Sequence, residues 1–308
     1  MLAAQRRAET IIIKAPRQMG KSSLLKSYLA ACEQTGKRTI LFDFSLLSDE
    51  DLADYAEFLT LLARMLWQQL GKPPQAVPPI LRKQHQLIEY LESSLLTAIN
   101  EPVVVAFDET DRVLGQAYQS DFFTMLRYWH NQRHDPTTNW SRLGLALVIS
   151  SEPYLVIKDY LRSPFNVGLQ LELRLFNETE CQKLNRLYRA RLSKAEIARL
   201  MELLNGHPHL THLAFHSLTG PQPMDFPALL RKAAERGGPF GGHLRALEKK
   251  LVDEAGQRLL TAMKQIVKNG KAPSEDAFYR LHGAGLVRED GSRIVPVNQL
   301  YERFFGIR

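Results

Sequence analysis

The chain has 308 residues, 44% of them hydrophobic and 24% charged, and its 40 basic and 33 acidic side chains leave a net charge of +7. This length is typical of two or three domains with at least one substantial core, and this hydrophobicity excludes a disordered chain. Apolar runs fall short of the roughly 18–20 residues of a membrane span and the N-terminus lacks a signal-peptide core, so we expect no membrane association.

The first half of the chain alternates short apolar runs with amphipathic stretches. Five runs predict strands: Thr10–Ile13, Arg38–Phe44, Val103–Phe107, Leu143–Ile149 and Leu169–Leu175. Apolar residues at helical spacing predict helices over Lys21–Glu33, Leu52–Leu70, Gln84–Ile99 and Phe122–Gln132. Apolar strands interleaved with helices indicate a parallel sheet that is covered on both faces. We therefore predict a three-layer α/β domain over residues 1–175.

The second half is predominantly helical and carries most of the basic charge. Three short helices are predicted first, over Glu178–Ala190, Lys194–Leu204 and Leu210–Leu218, and a Pro/Gly-rich linker follows at Gly220–Pro227. The remaining predicted elements are helices over Leu244–Val252, Ala255–Val267 and Glu275–Leu281 and a hairpin of Leu286–Arg288 and Arg293–Val297 around an Asp-Gly turn. Three helices and a hairpin are the pattern of a winged helix. Residues 231–308 hold 15 basic and 9 acidic side chains.

The most specific motif is the segment APRQMGKS at residues 15–22, which follows the first predicted strand and opens a helix. It matches the phosphate-binding loop G-x-x-x-x-G-K-[ST] except that Ala15 replaces the first glycine. Loop N–H groups and the helix N-terminus hold phosphates in such a motif, while Lys adds a charge and Ser ligates Mg²⁺. We assign phosphate binding to Ala15, Arg17, Gln18, Met19, Gly20, Lys21, Ser22 and Ser23. Because alanine disfavours positive φ, we expect a different turn or some strain at Ala15.

A second group of candidate residues follows two buried strands. The strand Val103–Phe107 ends in Asp108 and Glu109, and we expect it beside the loop strand. Asp108 would then lie in the Mg²⁺ shell, and Glu109, the candidate catalytic residue, could polarise a water for attack on the γ-phosphate. Ser150 follows the fourth strand, where it could contact the γ-phosphate or simply cap a helix. The sequence leaves these two roles of Ser150 open.

Several short motifs are jointly similar to those of one family. They are RQMGKSSL at 17–24, D-E-x-D at 108–111, DFF at 121–123, SPFNVG at 163–168, GHPHLT at 206–211 and LHGAGLV at 281–287. Together they resemble the bacterial AAA-like domain, a member of the STAND group of signal-transduction ATPases within the AAA+ superfamily. The resemblance implies a P-loop NTPase core at 1–175, a helical lid at 176–220 and a winged-helix domain at 228–308.

The resemblance also implies an activity and partners. It implies a slowly hydrolysing ATP-dependent switch, in which Lys21 and Ser22 hold phosphates and Mg²⁺, and Asp108 and Glu109 serve Mg²⁺ and hydrolysis. Pro208, in the Gly-x-Pro motif, would approach the adenine from the lid. ATP or ADP would control assembly with signalling or effector proteins and with further copies of the chain. Only Met1–Glu9 precede the loop strand, where the family carries a base-enclosing segment, so we expect looser adenine binding.

Two other functions and the cellular location remain to be weighed. The basic C-terminal third also fits a DNA-associated AAA+ protein that uses its winged helix, although the helix at Glu275–Leu281 begins with two acidic residues. A third interpretation is an interaction module that binds nucleotide without turnover. The two cysteines, Cys32 and Cys181, form no paired-thiol motif, and a reducing cytoplasm is the expected environment.

Overall fold

The structure is a computed structural model that describes residues 9–71, 77–78, 80–150, 166–253 and 258–306. The chain divides into two compact units. Unit 1 comprises residues 1–15 and 21–173, and unit 2 comprises Pro16–Gly20 and Arg174–Arg308. Among the described residues, no helix combines the length and apolar character required to traverse a bilayer.

Unit 1 is built on a five-stranded parallel sheet with the strand order β2-β3-β4-β1-β5. Its strands are β1 (Thr10–Lys14), β2 (Arg38–Asp43), β3 (Val103–Asp108), β4 (Leu143–Ile149) and β5 (Leu169–Glu172). All five predicted strands are confirmed, with ends that move by up to three residues. The largest change is in β5, which stops at Glu172 and whose side chains are mostly exposed because it forms an edge of the sheet.

Helices cover both faces of this sheet. They are α1 (Lys21–Gln34), α2 (Tyr55–Gln69), α3 (Gln84–Tyr90, continued by a π-turn over Leu91–Leu95) and α4 (Gln119–Gln132). Alternate residues of β3 enter two separate cores: Val103, Val105 and Phe107 join one, and Val104 and Ala106 join the other. This alternation follows from the two-residue period of a strand. The three-layer α/β prediction is confirmed.

The start of α2 is decided by a capping side chain. The apolar pattern predicts a helix from Leu52, but α2 begins at Tyr55. The Asp54 carboxylate accepts a hydrogen bond from the Glu57 N–H at 2.9 Å, which satisfies one of the N–H groups left open in the first turn. Leu52 is nevertheless buried in the core from the preceding loop.

Unit 2 is a helical assembly with one two-stranded antiparallel ribbon. Its elements are α5 (Glu178–Tyr188), α6 (Lys194–Leu204), α7 (Pro208–Thr219), α8 (Phe226–Arg231), α9 (Gly241–Asp253), α10 (Arg258–Asn269), α11 (Glu275–Gly283), β6 (Val287–Asp290), β7 (Arg293–Pro296) and α12 (Gln299–Gly306). The predicted hairpin is confirmed, and its loop is Gly291-Ser292, since Asp290 already pairs with Arg293. One hydrophobic core runs through these elements from Cys181 to Phe305.

Besides shifts of a few residues at element ends, two details of unit 2 differ from the sequence-based expectations. The predicted linker Gly220–Pro227 already contains the start of α8, which Asp225 caps by accepting a hydrogen bond from the Ala228 N–H at 2.6 Å. The chain also adds α12 after the hairpin, and its Leu300, Tyr301, Phe304 and Phe305 are buried. The separation of a lid at 176–220 from a winged-helix domain at 228–308 stays a prediction, since both segments share the single core.

Candidate functional site

The predicted phosphate loop connects β1 to α1. Ala15 follows β1 and is 3% exposed, with its N–H 3.5 Å from the Ile149 carbonyl oxygen at the end of β4. Gly20 directly precedes α1 and has a φ of +92°, and a Cβ built on it would meet no atom within 4 Å among the described residues. The glycine is therefore required for its backbone conformation and not for lack of space.

Positive φ angles occur in the middle of the loop and not at its first residue. Gln18 has a φ of +63°, whereas Ala15 is not among the described non-glycine residues with positive φ. Of the two alternatives expected at Ala15, a different turn is confirmed, because the chain makes its left-handed turns at Gln18 and Gly20. A non-glycine residue in this region costs about 1 kcal/mol, so any strain of this loop lies at Gln18.

The start of α1 presents cationic and polar groups. Lys21 is 5% exposed, Ser22 is half-buried and Ser23 is exposed. The first turn of α1 contains no acidic side chain that would compensate the positive end of the helix dipole. This helix N-terminus, with its open N–H groups and a buried ammonium group, is suited to an anion. Within the loop itself, Arg17 is exposed and Met19 is buried.

Asp108 and Glu109 lie at the same edge of the sheet as the end of β1. The expectation that their strand lies beside the loop strand was wrong, since β4 lies between β1 and β3. Lys14 pairs with Ile149 and Phe107 pairs with Leu147, so the two strands end at nearly the same level. One intervening strand separates them by about 10 Å.

The two carboxylates differ in burial and backbone conformation. Asp108 is 3% exposed, and one of its carboxyl oxygens accepts the Glu109 N–H at 2.9 Å. Glu109 is half-buried and left-handed, with φ 53° and ψ 39°. Non-glycine residues in this conformation cost free energy and are concentrated at functional sites. The strand therefore ends at Asp108, and the backbone turns at Glu109.

Ser150 is the first residue after β4, the strand between the other two. It is 5% exposed, and its hydroxyl has no hydrogen-bond partner among the described residues. Its N–H donates to a carboxyl oxygen of Asp111 at 3.1 Å. The alternative role of Ser150 as a helix cap concerns residues 151–165, which lie outside the described residues, and stays open. Sequence reasoning gave Asp111 no role, although the D-E-x-D motif contains it.

Pro208 lies in unit 2 and is the first residue of α7, where it is buried. The preceding Gly206 has a φ of +66°, and a Cβ there would collide with the Phe176 carbonyl group. Phe176 in turn donates its N–H to the Gly206 carbonyl oxygen at 2.8 Å. The Gly-x-Pro segment thus forms the tight corner between α6 and α7, and a role of Pro208 toward adenine stays a prediction.

Comparison with known proteins gives one family and one curated relative. The family model of the AAA-like domain matches residues 2–306. An uncharacterised WD repeat-containing protein of Synechocystis sp. is 28% identical over 324 aligned residues, which cover 94% of this chain and 27% of that protein. The chain therefore spans about a quarter of the length of this curated relative.

Two solved structures with similar folds are a Walker-type ATPase and an ORC2 protein. The Walker-type ATPase of Pyrococcus abyssi superposes with a TM-score of 0.62 at 17% identity, covering 96% of this chain and 90% of that one. The ORC2 protein of Aeropyrum pernix, solved with ADPNP and ADP, gives 0.56 at 14% identity, covering 100% and 90%. Identities this low establish the fold alone. With its P-loop ATPase fold and a family match over residues 2–306, this chain belongs to the AAA-like domain family.

Proposed function

We propose that this chain is an ATP-binding, slowly hydrolysing switch of the STAND type, whose nucleotide state controls its assembly with partner proteins. The observation that carries the proposal is the composition of one sheet edge. The N-terminus of α1 with Lys21, the carboxylate Asp108 and the hydroxyl of Ser150 all lie at the carboxyl ends of β1, β3 and β4. Parallel α/β sheets bind ligands at this edge.

The phosphates of ATP or ADP would be held by the residues at the start of α1. Loop and helix N–H groups supply fixed donors, and the Lys21 ammonium group supplies a charge that burial keeps from being screened by water. Mg²⁺ prefers oxygen ligands and is usually bound by only one or two protein groups. The Ser22 hydroxyl and the buried Asp108 carboxylate would supply such oxygens. When bound, the ion neutralises part of the phosphate charge.

Hydrolysis would depend on Glu109. A carboxylate one residue beyond Asp108, on a turn that leaves the strand direction, is suited to accept a proton from a water that attacks the γ-phosphate. Ser150, at the end of the strand between the other two, would donate its hydroxyl to the same phosphate. ATP and ADP would therefore differ in the contacts that they make with β3 and β4.

Partners and regulation are inferred from the relatives and from the family. The ORC2 protein of Aeropyrum pernix was solved with ADPNP and ADP, and the Synechocystis relative is named for its WD repeats. We infer that Pro208 and the proposed winged helix of unit 2 respond to the bound nucleotide. Sensor or effector proteins, and further copies of this chain, would then bind in one nucleotide state only.

The first test is equilibrium binding of labelled ATP with Mg²⁺ to the wild type and to Lys21→Ala. Loss of charge-assisted hydrogen bonds is expected to weaken binding by about 10- to 100-fold. Lys26→Ala is the matched control, since Lys26 lies on the same helix and is exposed. Equal affinities of the wild type and Lys21→Ala would contradict the assignment of the phosphate site.

The second test addresses switching. Light scattering of the wild type with ADP and with a non-hydrolysable ATP analogue should give two different particle sizes. Lys21→Ala should give one size under both conditions, since it binds neither nucleotide well. A wild type of constant size, with nucleotide bound in both cases, would contradict control of self-assembly.

DNA binding is the second candidate, and one observation bears on it. Lys264, Lys268 and Lys271 are exposed around α10 and could contact a phosphate backbone. The helix α11, in contrast, begins with Glu275 and Asp276, and Asp276 already pairs with Arg280 at 3.4 Å. That arrangement disfavours base recognition by α11. A salt-dependent shift of duplex DNA by the wild type would favour this candidate over a switch that binds only proteins.

A further inference from the structure

The turn that follows β3 is tightly organised. A 3₁₀-helix over Thr110–Val113 follows Glu109, and the Arg112 N–H donates to the Glu109 carbonyl oxygen at 3.0 Å. Thr110 is fully buried, and its hydroxyl donates to the Phe107 carbonyl oxygen at 3.1 Å. The position of Glu109 is therefore set by a compact hydrogen-bonded turn.

Two side chains of this turn reach the ends of the neighbouring strands. On one side, the Arg112 guanidinium group donates to the carbonyl oxygens of Phe44 and Leu47 at 3.1 and 2.6 Å, just beyond β2. On the other side, an Asp111 carboxyl oxygen accepts the Ser150 N–H at 3.1 Å, just beyond β4. Residues of a single turn thus connect the ends of three adjacent strands.

The hydrogen bond that Asp111 accepts has a consequence for the position of Ser150. The Ser150 hydroxyl is buried and has no hydrogen-bond partner among the described residues. The Asp111 carboxylate holds the backbone of Ser150 through its N–H, and the position of the hydroxyl depends on that backbone. A carboxylate that accepts a backbone N–H acts through geometry, and a neutral amide oxygen can replace it.

We propose that Asp111 is a positioning residue for recognition of the γ-phosphate. It holds the end of β4 against the turn that carries Glu109, so that the Ser150 hydroxyl and the Glu109 carboxylate keep a fixed relation to each other. The inference rests on the proposed function, since it requires a nucleotide at this edge of the sheet. It goes further by naming the residue that makes the site distinguish ATP from ADP.

The test compares the dissociation constants of ADP and of a non-hydrolysable ATP analogue. In Asp111→Ala we expect binding of the analogue to weaken about 10-fold and binding of ADP to change less than about 3-fold, because only the γ-phosphate contact is lost. Asp111→Asn should stay within about 3-fold of the wild type for both ligands. If Asp111→Ala does not fold, Asp111→Ser replaces it, since a serine hydroxyl is too short to reach the Ser150 amide.

Asp135 provides a matched control. Its carboxylate also accepts a backbone N–H, that of Thr137 at 2.9 Å, but it lies in the loop between α4 and β4. Asp135→Ala should change neither dissociation constant. Three outcomes would overturn the positioning role. Asp111→Asn could bind the analogue as weakly as Asp111→Ala, or Asp111→Ala could keep the wild-type ratio of the two dissociation constants. The wild type itself could also bind the analogue no more tightly than ADP. A wild type that binds no nucleotide would overturn the proposed function itself, and this role with it.

Discussion

Both units bury polar side chains, but of different kinds and in different places. In unit 1 the buried set includes Lys21, Asp108 and Ser150, an ammonium group, a carboxylate and a hydroxyl at one edge of the sheet. Burial of unlike charged groups is costly unless partners compensate them. A polyphosphate with a divalent ion is the ligand that we propose for these groups.

Unit 2 instead buries imidazoles that stay neutral. His207 is 5% and His243 is 8% exposed, and the His243 Nε2 lies 2.9 Å from the Tyr301 hydroxyl oxygen. The His243 ring also stacks on Tyr301 with ring centroids 5.8 Å apart. His243 is thus held by contacts within the unit, whereas the buried Nδ1 of His207 has no hydrogen-bond partner among the described residues. The comparison teaches that the strand ends of unit 1 carry groups suited to a nucleotide, whereas the stability of unit 2 should depend on pH through its two buried imidazoles.

The largest expected effect concerns the turn after β3. Glu109→Gln keeps the size of the side chain but cannot accept a proton, so phosphate release should fall by about 10²- to 10⁴-fold while ATP affinity is retained. Single-turnover phosphate release measures this, with the exposed Glu92→Gln as control. Release at background in both the wild type and Glu109→Gln would instead favour the interaction module without turnover.

Acid should destabilise unit 2. Burial lowers the pKa of His207 to about 4 and the pKa of His243 to about 3. An imidazole in the unfolded chain has a pKa near 6.5. Below that pH the unfolded chain binds protons that the folded chain does not bind, so the free energy of unfolding falls. Between pH 7 and pH 5 the loss is about 2 kcal/mol for each imidazole.

Urea unfolding followed by circular dichroism at pH 7 and pH 5 measures this loss. In His243→Gln, which cannot titrate, the difference between the two pH values should shrink by about 2 kcal/mol. The exposed His134→Gln should leave it unchanged. An equal pH dependence of His243→Gln and the wild type would show that the buried imidazoles of unit 2 do not control its acid stability.

Substitutions of two glycines should separate effects on folding stability from effects on nucleotide binding. Gly206→Ala should lower the free energy of unfolding by at least about 2 kcal/mol, because the added Cβ collides with the Phe176 carbonyl group at a positive φ. Gly20→Ala has room for its Cβ and should mainly weaken nucleotide binding by distorting the loop. Thermal unfolding and ATP binding are measured on both variants. Gly206→Ala should lose mainly stability, and Gly20→Ala should lose mainly ATP affinity.

The smallest effect is expected at Ala15. Since the left-handed turns lie at Gln18 and Gly20, Ala15→Gly should change ATP affinity by less than about 2-fold. Gln18→Gly, in contrast, should stabilise the chain by up to about 1 kcal/mol by relieving the positive φ. A large gain in the ATP affinity of Ala15→Gly would show that the first residue of the loop limits nucleotide binding.

Patterns within single elements predicted most of the fold. The alternation of apolar runs predicted all five strands of unit 1, and turn chemistry predicted the hairpin of unit 2. Element ends were less accurate, since a capping side chain such as Asp54 or Asp225 overrides the apolar pattern. The helix α12 was not predicted from the sequence.

The sequence by itself determined the candidate chemistry of this protein: a phosphate loop, two carboxylates after a buried strand and a serine after the next one. Those features depend on residue type and spacing along one strand or one turn. Only the tertiary structure decided that β4 lies between β1 and β3, and that Asp111 holds the Ser150 N–H. The order of strands in a parallel sheet and hydrogen bonds across 39 residues depend on packing between distant segments, which no local pattern encodes.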